Sequence, residues 1–309
     1  MTRSPAAPAV PWLAYICLAV SMALVGSYVG FSKLLVLVFP IFLLAWLRFG
    51  IAAVAMVGWV RRGAFDAPLN AHDRWLLFFE SFFGNFLFSI CMLFGVSMST
   101  ALAAGVIMAG LPAAVALLSR VFLKERIATR VLLGIACAVA GIALVSLTKN
   151  SAVSASGDSS LLGNMLLLGA LLCEASYVVI GKKLSAKVSA KRISALINLW
   201  GLALVTPFGL WQALSFHFGG VAAGNWWLLL FYAIAASVIT VWLWMTGLSR
   251  VPAAKAGVFT VLLPVSAAAI GVLFLGERFS AAQAAAFGLA LAGVVLATWP
   301  SRATLPAPA

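Results

Sequence analysis

The chain has 309 residues, of which 64% are hydrophobic and only 9% charged, too little polar side chain to cover a water-soluble globule. Lys and Arg outnumber Asp and Glu by 20 to 7, a formal net charge of +13; in a soluble protein this would suggest nucleic acid, and in a membrane protein it encodes orientation. Spanning about 30 Å of hydrocarbon takes roughly 20 apolar residues, so about ten spans fit, and the polar interruptions between them are too short to fold as a soluble domain.

In chain order, a short tail (1–11) precedes apolar runs at 12–31, 37–60, 75–96, 101–122 and 130–147. A polar linker (148–160) leads to runs at 161–181, 193–214, 226–246, 253–274 and 280–299, and a tail (300–309) follows. The expectation is an all-α integral membrane protein with ten transmembrane helices. The first run follows Arg3 and a Pro/Ala-rich leader, yet it is long for a signal peptide and more spans follow at once, so it reads as an uncleaved helix. Cys17, Cys91, Cys137 and Cys173 fall inside apolar runs without the short spacing of a zinc site, and read as packing residues; no metal or cofactor is expected.

With the N-terminus inside, 16 of the 20 Lys and Arg fall on inner segments and three, Lys33, Lys149 and Arg278, on outer ones, while Arg48 lies within the second run. Both termini are therefore expected in the cytoplasm, and the basic excess needs no nucleic-acid partner.

The sequence also repeats. GVSMSTALAAGVIMAGLPAAVALLSRVFLKER from Gly95 aligns without gaps on GLSRVPAAKAGVFTVLLPVSAAAIGVLFLGER from Gly247. The offset of 152 carries Gly105 onto Gly257, Pro112 onto Pro264, Glu125 onto Glu277, Arg126 onto Arg278 and Gly141 onto Gly293. A fainter echo relates SYVGFSKLL from Ser27 to SYVVIGKKL from Ser176 at an offset of 149. Each half, 12–147 and 161–299, thus holds five predicted helices. Five is odd, so the halves are expected to be inverted repeats about an axis in the membrane plane.

In these residues the chain resembles the drug/metabolite transporter superfamily, specifically its EamA-type ten-helix members. The pattern is a Gly among small residues, a mid-helix Pro, an apolar run ending in Leu-x-Glu-Arg, and a helix with a late Gly; it occurs twice, at 95–141 and 247–293. One departure is Lys124, where the second copy has Gly276 in the commoner Gly-Glu pair. The resemblance implies export of small organic solutes such as amino acids from the cytoplasm across the cell inner membrane by alternating access. No GxxxxGK[ST] phosphate loop occurs, so the driving force would be a gradient of substrate, proton or exchanged solute rather than ATP hydrolysis. A membrane enzyme would need clustered His, Asp or Glu at one face, and the chain has only His72 and His217. The other transporter reading is broad efflux of hydrophobic or aromatic toxic compounds through a cavity lined by phenylalanines.

Ionisable residues kept in hydrocarbon cost about 2.5 to 3.5 kcal/mol on insertion scales and usually face a partner or a wet cavity. Arg48 in FLLAWLRFG either engages a substrate carboxylate or pairs within the bundle. Glu174 in LLCEASYVV binds a substrate amine, exchanges a proton, or neutralises Arg48 in a buried pair. Tyr177 shares its helix face. Glu80 reads either as part of the substrate cavity or as a solvated interfacial charge near Arg74. Asn85 and Asn198 carry amides inside spans, for polar selection or interhelical hydrogen bonds. Phe78, Phe79, Phe82, Phe83, Phe86 and Phe88, with Trp242 and Trp244, form either a stacking wall for aromatic or amine cargo or a lipid-facing belt. Pro112 and Pro264 are expected to bend the fourth and ninth helices, with Gly105 and Gly257 allowing close approach, so that the bends gate the cavity.

Overall fold

The computed structural model describes residues 11–63, 66–98, 107–150, 161–263, 265–266 and 281–299. Those residues form helices joined by short turns, with no strand among them. In order they are α1 (Trp12–Val36), α2 (Ile41–Ala55), α3 (Ala71–Ser81), a π-helical segment π1 (Phe82–Leu87), α4 (Phe88–Met98), α5 (Leu111–Phe122) and α6 (Thr129–Asn150). The second half supplies α7 (Leu161–Leu184), α8 (Ala190–Ser215), α9 (Ala223–Ala233), a second π-helical segment π2 (Ile234–Ile239), α10 (Thr240–Arg250), α11 (Ala253–Val258) and α12 (Ala281–Thr298). The stretches Ala71–Met92, Leu161–Leu184, Ala190–Ser215 and Ala223–Arg250 are each long and apolar enough to cross a bilayer. Large apolar side chains such as Leu37, Leu161, Trp211, Leu214 and Trp227 face outward, as suits a lipid surround.

Local chemistry sets the helix starts. Asn70 and Asp73 form a reciprocal capping box at α3, the Asp73 N–H donating to Asn70 Oδ1 at 2.8 Å. Pro40 and Pro252 precede α2 and α11, where a missing N–H costs nothing. Pro112 does likewise. It lies in the first turn of α5, behind a turn closed by the Gly110 N–H on the Ile107 carbonyl at 3.0 Å. The expected bend by Pro112 within a continuous helix is thus replaced by a break at Gly110, with the proline seated in the new helix's opening turn. Pro264 and Gly105 lie outside the described residues; the ninth span tightens to a 3₁₀ turn at Phe259–Val261. Gly257 lets α11 close on α5, since a methyl group there would stand 3.0 Å from Val115 Cβ.

The two π segments stand at matching places. In each, the backbone bond skips one residue further than in an α-helix: the Phe88 N–H reaches the Phe83 carbonyl, and the Thr240 N–H the Ala235 carbonyl. Adding 152 to the bounds of α3, π1 and α4 gives the bounds of α9, π2 and α10. The ungapped correspondence that begins at Gly95 therefore runs back to Ala71. WLLFFE at 75–80 answering WLLLFY at 227–232 is its trace in the sequence.

Helices α6 and α12 cross at glycines. A methyl group on Gly141 would stand 2.7 Å from both the Ala286 carbonyl oxygen and the Ala290 nitrogen; one on Gly293 would stand 2.5 Å from the Gly134 carbonyl oxygen and 2.9 Å from the Ala138 nitrogen. At the offset of 152, Gly134 and Ala138 correspond to Ala286 and Ala290. Each contact is thus the counterpart of the other, as in a self-complementary interface built from small residues.

The Leu-x-Glu-Arg turn holds a distant helix. Glu125 accepts from the N–H groups of Ala253 at 2.9 Å and Ala254 at 3.3 Å, where α11 begins. Lys182 donates to the carbonyls of Leu248 at 2.9 Å and Ser249 at 3.2 Å, where α10 ends. Opposite charges therefore sit on the two orphaned helix ends around Pro252, each the sign its dipole favours. Lys124, before Glu125, has φ 54°, in the left-handed region where glycine is unstrained and a lysine is not. Relief of about 1–2 kcal/mol of left-handed strain, less about 0.5–1 kcal/mol of added unfolded-chain entropy, predicts that Lys124→Gly stabilises the protein by roughly 0.5–1 kcal/mol. Thermal unfolding in detergent should show the rise.

Candidate functional site

Polar side chains from both halves meet where α2, π1, α8 and α9 pack. Ser81, at the end of α3, donates to the Ile197 carbonyl of α8 at 2.8 Å and accepts from Asn85 Nδ2 at 3.2 Å. The next residue of α8, Asn198, donates from Nδ2 to the Phe49 carbonyl of α2 at 3.0 Å. Gly201 completes the junction: a methyl group there would stand 3.2 Å from the Phe49 ring and 3.4 Å from Asn85 Nδ2. The Arg48 guanidinium carbon lies 4.6 Å from the Phe49 ring centroid and 5.7 Å from that of Tyr232, so two aromatic faces support the charge.

Two groups in this seam are left over. Arg48 Nε is a buried donor, and Asn198 Oδ1 a buried acceptor, without hydrogen-bond partners. Native proteins pair nearly all such groups. The seam thus holds one donor and one acceptor that the chain itself leaves unmet.

Tyr177 packs on π1, and Glu174 lies one turn before it on α7. The Tyr177 ring occupies the space that a side chain on Gly84 of π1 would need, and Glu174, three residues earlier on α7, is half-buried. No ion pair joins Glu174 to Arg48, so the buried pair considered from the sequence is not formed; the arginine rests on rings instead.

Glu80 is not the solvated interfacial charge of one reading. It is 0% exposed, with no hydrogen-bond partner for either carboxylate oxygen, against Gly181 of α7 and Met245 and Leu248 of α10. It is not solvated, and its carboxyl faces the Gly181 side of α7. Packing accounts for this: roughly 14 Å along α3 from its start at Ala71, Glu80 is on the face covered by Gly181 of α7, while Phe79 beside it is exposed.

Trp242 lies away from the seam, its ring 6.1 Å from that of Trp59, with the Lys191 ammonium 5.7 Å from Trp59 and 6.0 Å from Trp242. The phenylalanines of α3 and π1 stack along the helix from Trp75 through Phe78, Phe79, Phe82 and Phe83 to Phe86. Trp75 is 60% and Phe79 39% exposed. The ladder's outer edge is thus turned away from the bundle interior, as a lipid-facing belt would be.

A second polar cluster closes one end of the bundle. Asp66 accepts from the Gly63 N–H at 2.9 Å, the Ser189 N–H at 2.7 Å and the Ser189 hydroxyl at 3.3 Å, with Arg192 at 3.8 Å. Lys187 pairs with Asp73 at 3.1 Å. These contacts tie the loop before α3 to the turn before α8. Burial alone would push the Asp66 carboxyl up, but the Gly63 and Ser189 donors and the Arg192 charge outweigh it and hold the group below the usual carboxylate range. A lowered folded value means stability present above the unfolded carboxylate value of about 4 and lost as pH falls through the folded one. Unfolding temperature is expected to drop with acidification below about pH 4, and Asp66→Asn to flatten that drop in a pH series of melts.

Sequence reasoning singled out Arg48, Asn85 and Asn198 and missed Phe49, Ser81, Gly201 and Tyr232, which join them. Spacing offered a partial signal, since Ser81 precedes Asn85 by four and Asn198 precedes Gly201 by three, on shared helix faces.

Residues 12–147 and 161–299 each match the model of the EamA-like transporter family. The uncharacterized transporter YetK of Bacillus subtilis (strain 168) is 38% identical over 269 residues, 86% of this chain and 81% of its own length. The uncharacterized transporter YyaM of the same organism is 26% identical over 226 residues, 72% of each chain. A protein crystal structure 18% identical in sequence superposes with a TM-score of 0.71, over 91% of this chain and 95% of that one, and shares its fold.

Proposed function

The chain belongs to the EamA-like transporter family, and from that premise we propose that it is a secondary active exporter of small polar or zwitterionic metabolites, amino acids and their relatives, across the cell inner membrane. The observation carrying this reading is the unsatisfied pair in the seam, Arg48 Nε and Asn198 Oδ1. A zwitterion supplies what both lack: its carboxylate accepts from the guanidinium in a charge-assisted bond, and its ammonium donates to the amide oxygen. Glu174, half-buried on α7, would offer the ammonium a second, charged partner. Alternating access would rock the two halves about the α6–α12 crossing, driven by a gradient of proton or exchanged solute. Both termini would lie in the cytoplasm, placing the Asp66 cluster at the inner face.

The test is transport in reconstituted vesicles against an amino-acid and metabolite panel, with and without an imposed pH gradient. Uptake of one or more polar solutes, competed by its own unlabelled form, is expected. Failure of every polar solute together with movement of hydrophobic cations would overturn the reading in favour of broad efflux.

A further inference from the structure

We propose that the Glu80 carboxyl is a proton-binding site, separate from the substrate seam, that is loaded and emptied during the transport cycle. This rests on the exporter reading for its role but on packing for its chemistry. Both carboxylate oxygens are buried and unpartnered. An ionised carboxylate in such a place is far costlier than the neutral acid, so the closed seat selects the proton-bound form. The chain makes room for it deliberately: a methyl group on Gly181 would stand 2.6 Å from Glu80 Oε1, 3.2 Å from Met245 Cε and 3.3 Å from Leu248 Cδ2.

The same surroundings exclude other occupants. Hard cations such as sodium or calcium need several oxygen ligands, whereas no hydrogen-bonding group of the chain reaches either Glu80 oxygen, and on the Gly181 side the carboxyl is joined by the apolar ends of Met245 and Leu248. An organic amine has no room beside Gly181. The charged groups on the neighbouring elements are engaged elsewhere. On α7, Lys182 is held by the Leu248 and Ser249 carbonyls and Lys183 lies 3.3 Å from His72 of α3, while Glu174 is two turns away. On α8, Arg192 turns to Asp66 and Lys191 to the two tryptophans. On α10 the titratable residue is Arg250, exposed at the far end, and on α3 itself Asp73 is paired with Lys187 and Arg74 is exposed.

A route for opening the seat is built into the helix. Ser81 follows Glu80 directly and π1 begins at Phe82. A π turn is one extra residue in an α-helix, and its passage along the helix rotates each residue it crosses by about 100°. Moved two steps toward Ala71, it would cross Glu80 and turn it by about 100°, out of the Gly181 seat. Once the carboxyl reaches water, the O–H bond breaks, the proton goes to water, and the carboxylate left behind is solvated until a proton rebinds on the other side.

Two measurements test this. Infrared spectroscopy of the full chain in liposomes should show a protonated-carboxyl stretch at neutral pH that is lost in Glu80→Gln and kept in Glu174→Gln. With a substrate from the panel, Glu80→Gln should lose accumulation driven by a pH gradient, and Glu80→Asp should restore it with a shifted pH midpoint. Survival of the stretch in Glu80→Gln, or pH-driven accumulation equal to wild type in that variant, would overturn the proposal. Should the wild type move no polar solute, the exporter reading fails instead, and the infrared band still decides the protonation of Glu80.

Discussion

Arg48→Lys is expected to weaken handling of carboxylate-bearing solutes by roughly ten- to a hundredfold, the equivalent of about 1.5–3 kcal/mol for a lost charge-assisted hydrogen bond. Lysine keeps the positive charge but not the planar guanidinium, whose carbon stands 4.6 Å from the Phe49 and 5.7 Å from the Tyr232 ring centroid. The half-saturation concentration in vesicle uptake reads the effect, with thermal unfolding in parallel. A structural arginine would lower stability and leave the surviving protein's concentration dependence unchanged. A substrate-binding one does the reverse. Asn198→Ala is less clean, because it also releases the Phe49 carbonyl that ties α8 to α2.

The second large effect is expected at the α6–α12 crossing. Gly141→Ala and Gly293→Ala should each destabilise the protein by about 1–3 kcal/mol, the usual cost of an inserted methyl where nothing can yield. The atoms in the way are backbone on both sides, the Ala286 carbonyl for one and the Gly134 carbonyl for the other, so no rotamer change relieves the clash. Because the two sites are counterparts across one crossing, their costs should be similar, which two unrelated helix contacts would not be. Melting curves in one detergent compare them directly. Gly288, which faces open space on α12, is the control, and Gly288→Ala should cost nothing measurable.

Much of the fold was legible because hydrocarbon imposes a simple rule. Long apolar runs had to be helices, and polar punctuation such as Arg61–Arg62 had to fall between them, while Lys182–Lys183 mark the last turn of α7. The candidate site was legible only in part, for a related reason. Arg48, Asn85 and Asn198 are conspicuous where polarity is costly, but Phe49 and Gly201, which bring them together, look like any other apolar positions. Glu80 was misjudged because closeness to a polar loop in sequence was taken for closeness to water. Its burial is decided by Gly181 and α10, more than a hundred residues away in sequence. The break at Gly110 was hidden behind Pro112, since a proline signals a disturbed helix without saying on which side of it the helix stops.

The paired π segments bear on the protein's history. A π turn is one residue more than an α-helix needs, and such an insertion turns everything beyond it by about 100°, so once neighbouring helices have packed against the turned face neither loss nor gain is neutral. Here the extra residue lies at corresponding places, Phe82–Leu87 and Ile234–Ile239, although hardly a side chain is shared between the two stretches. Two independent insertions would have had to strike the same turn of the same helix. One insertion in an ancestral half-length chain, copied when that chain doubled, accounts for both, and makes this irregularity older than the protein in its present length.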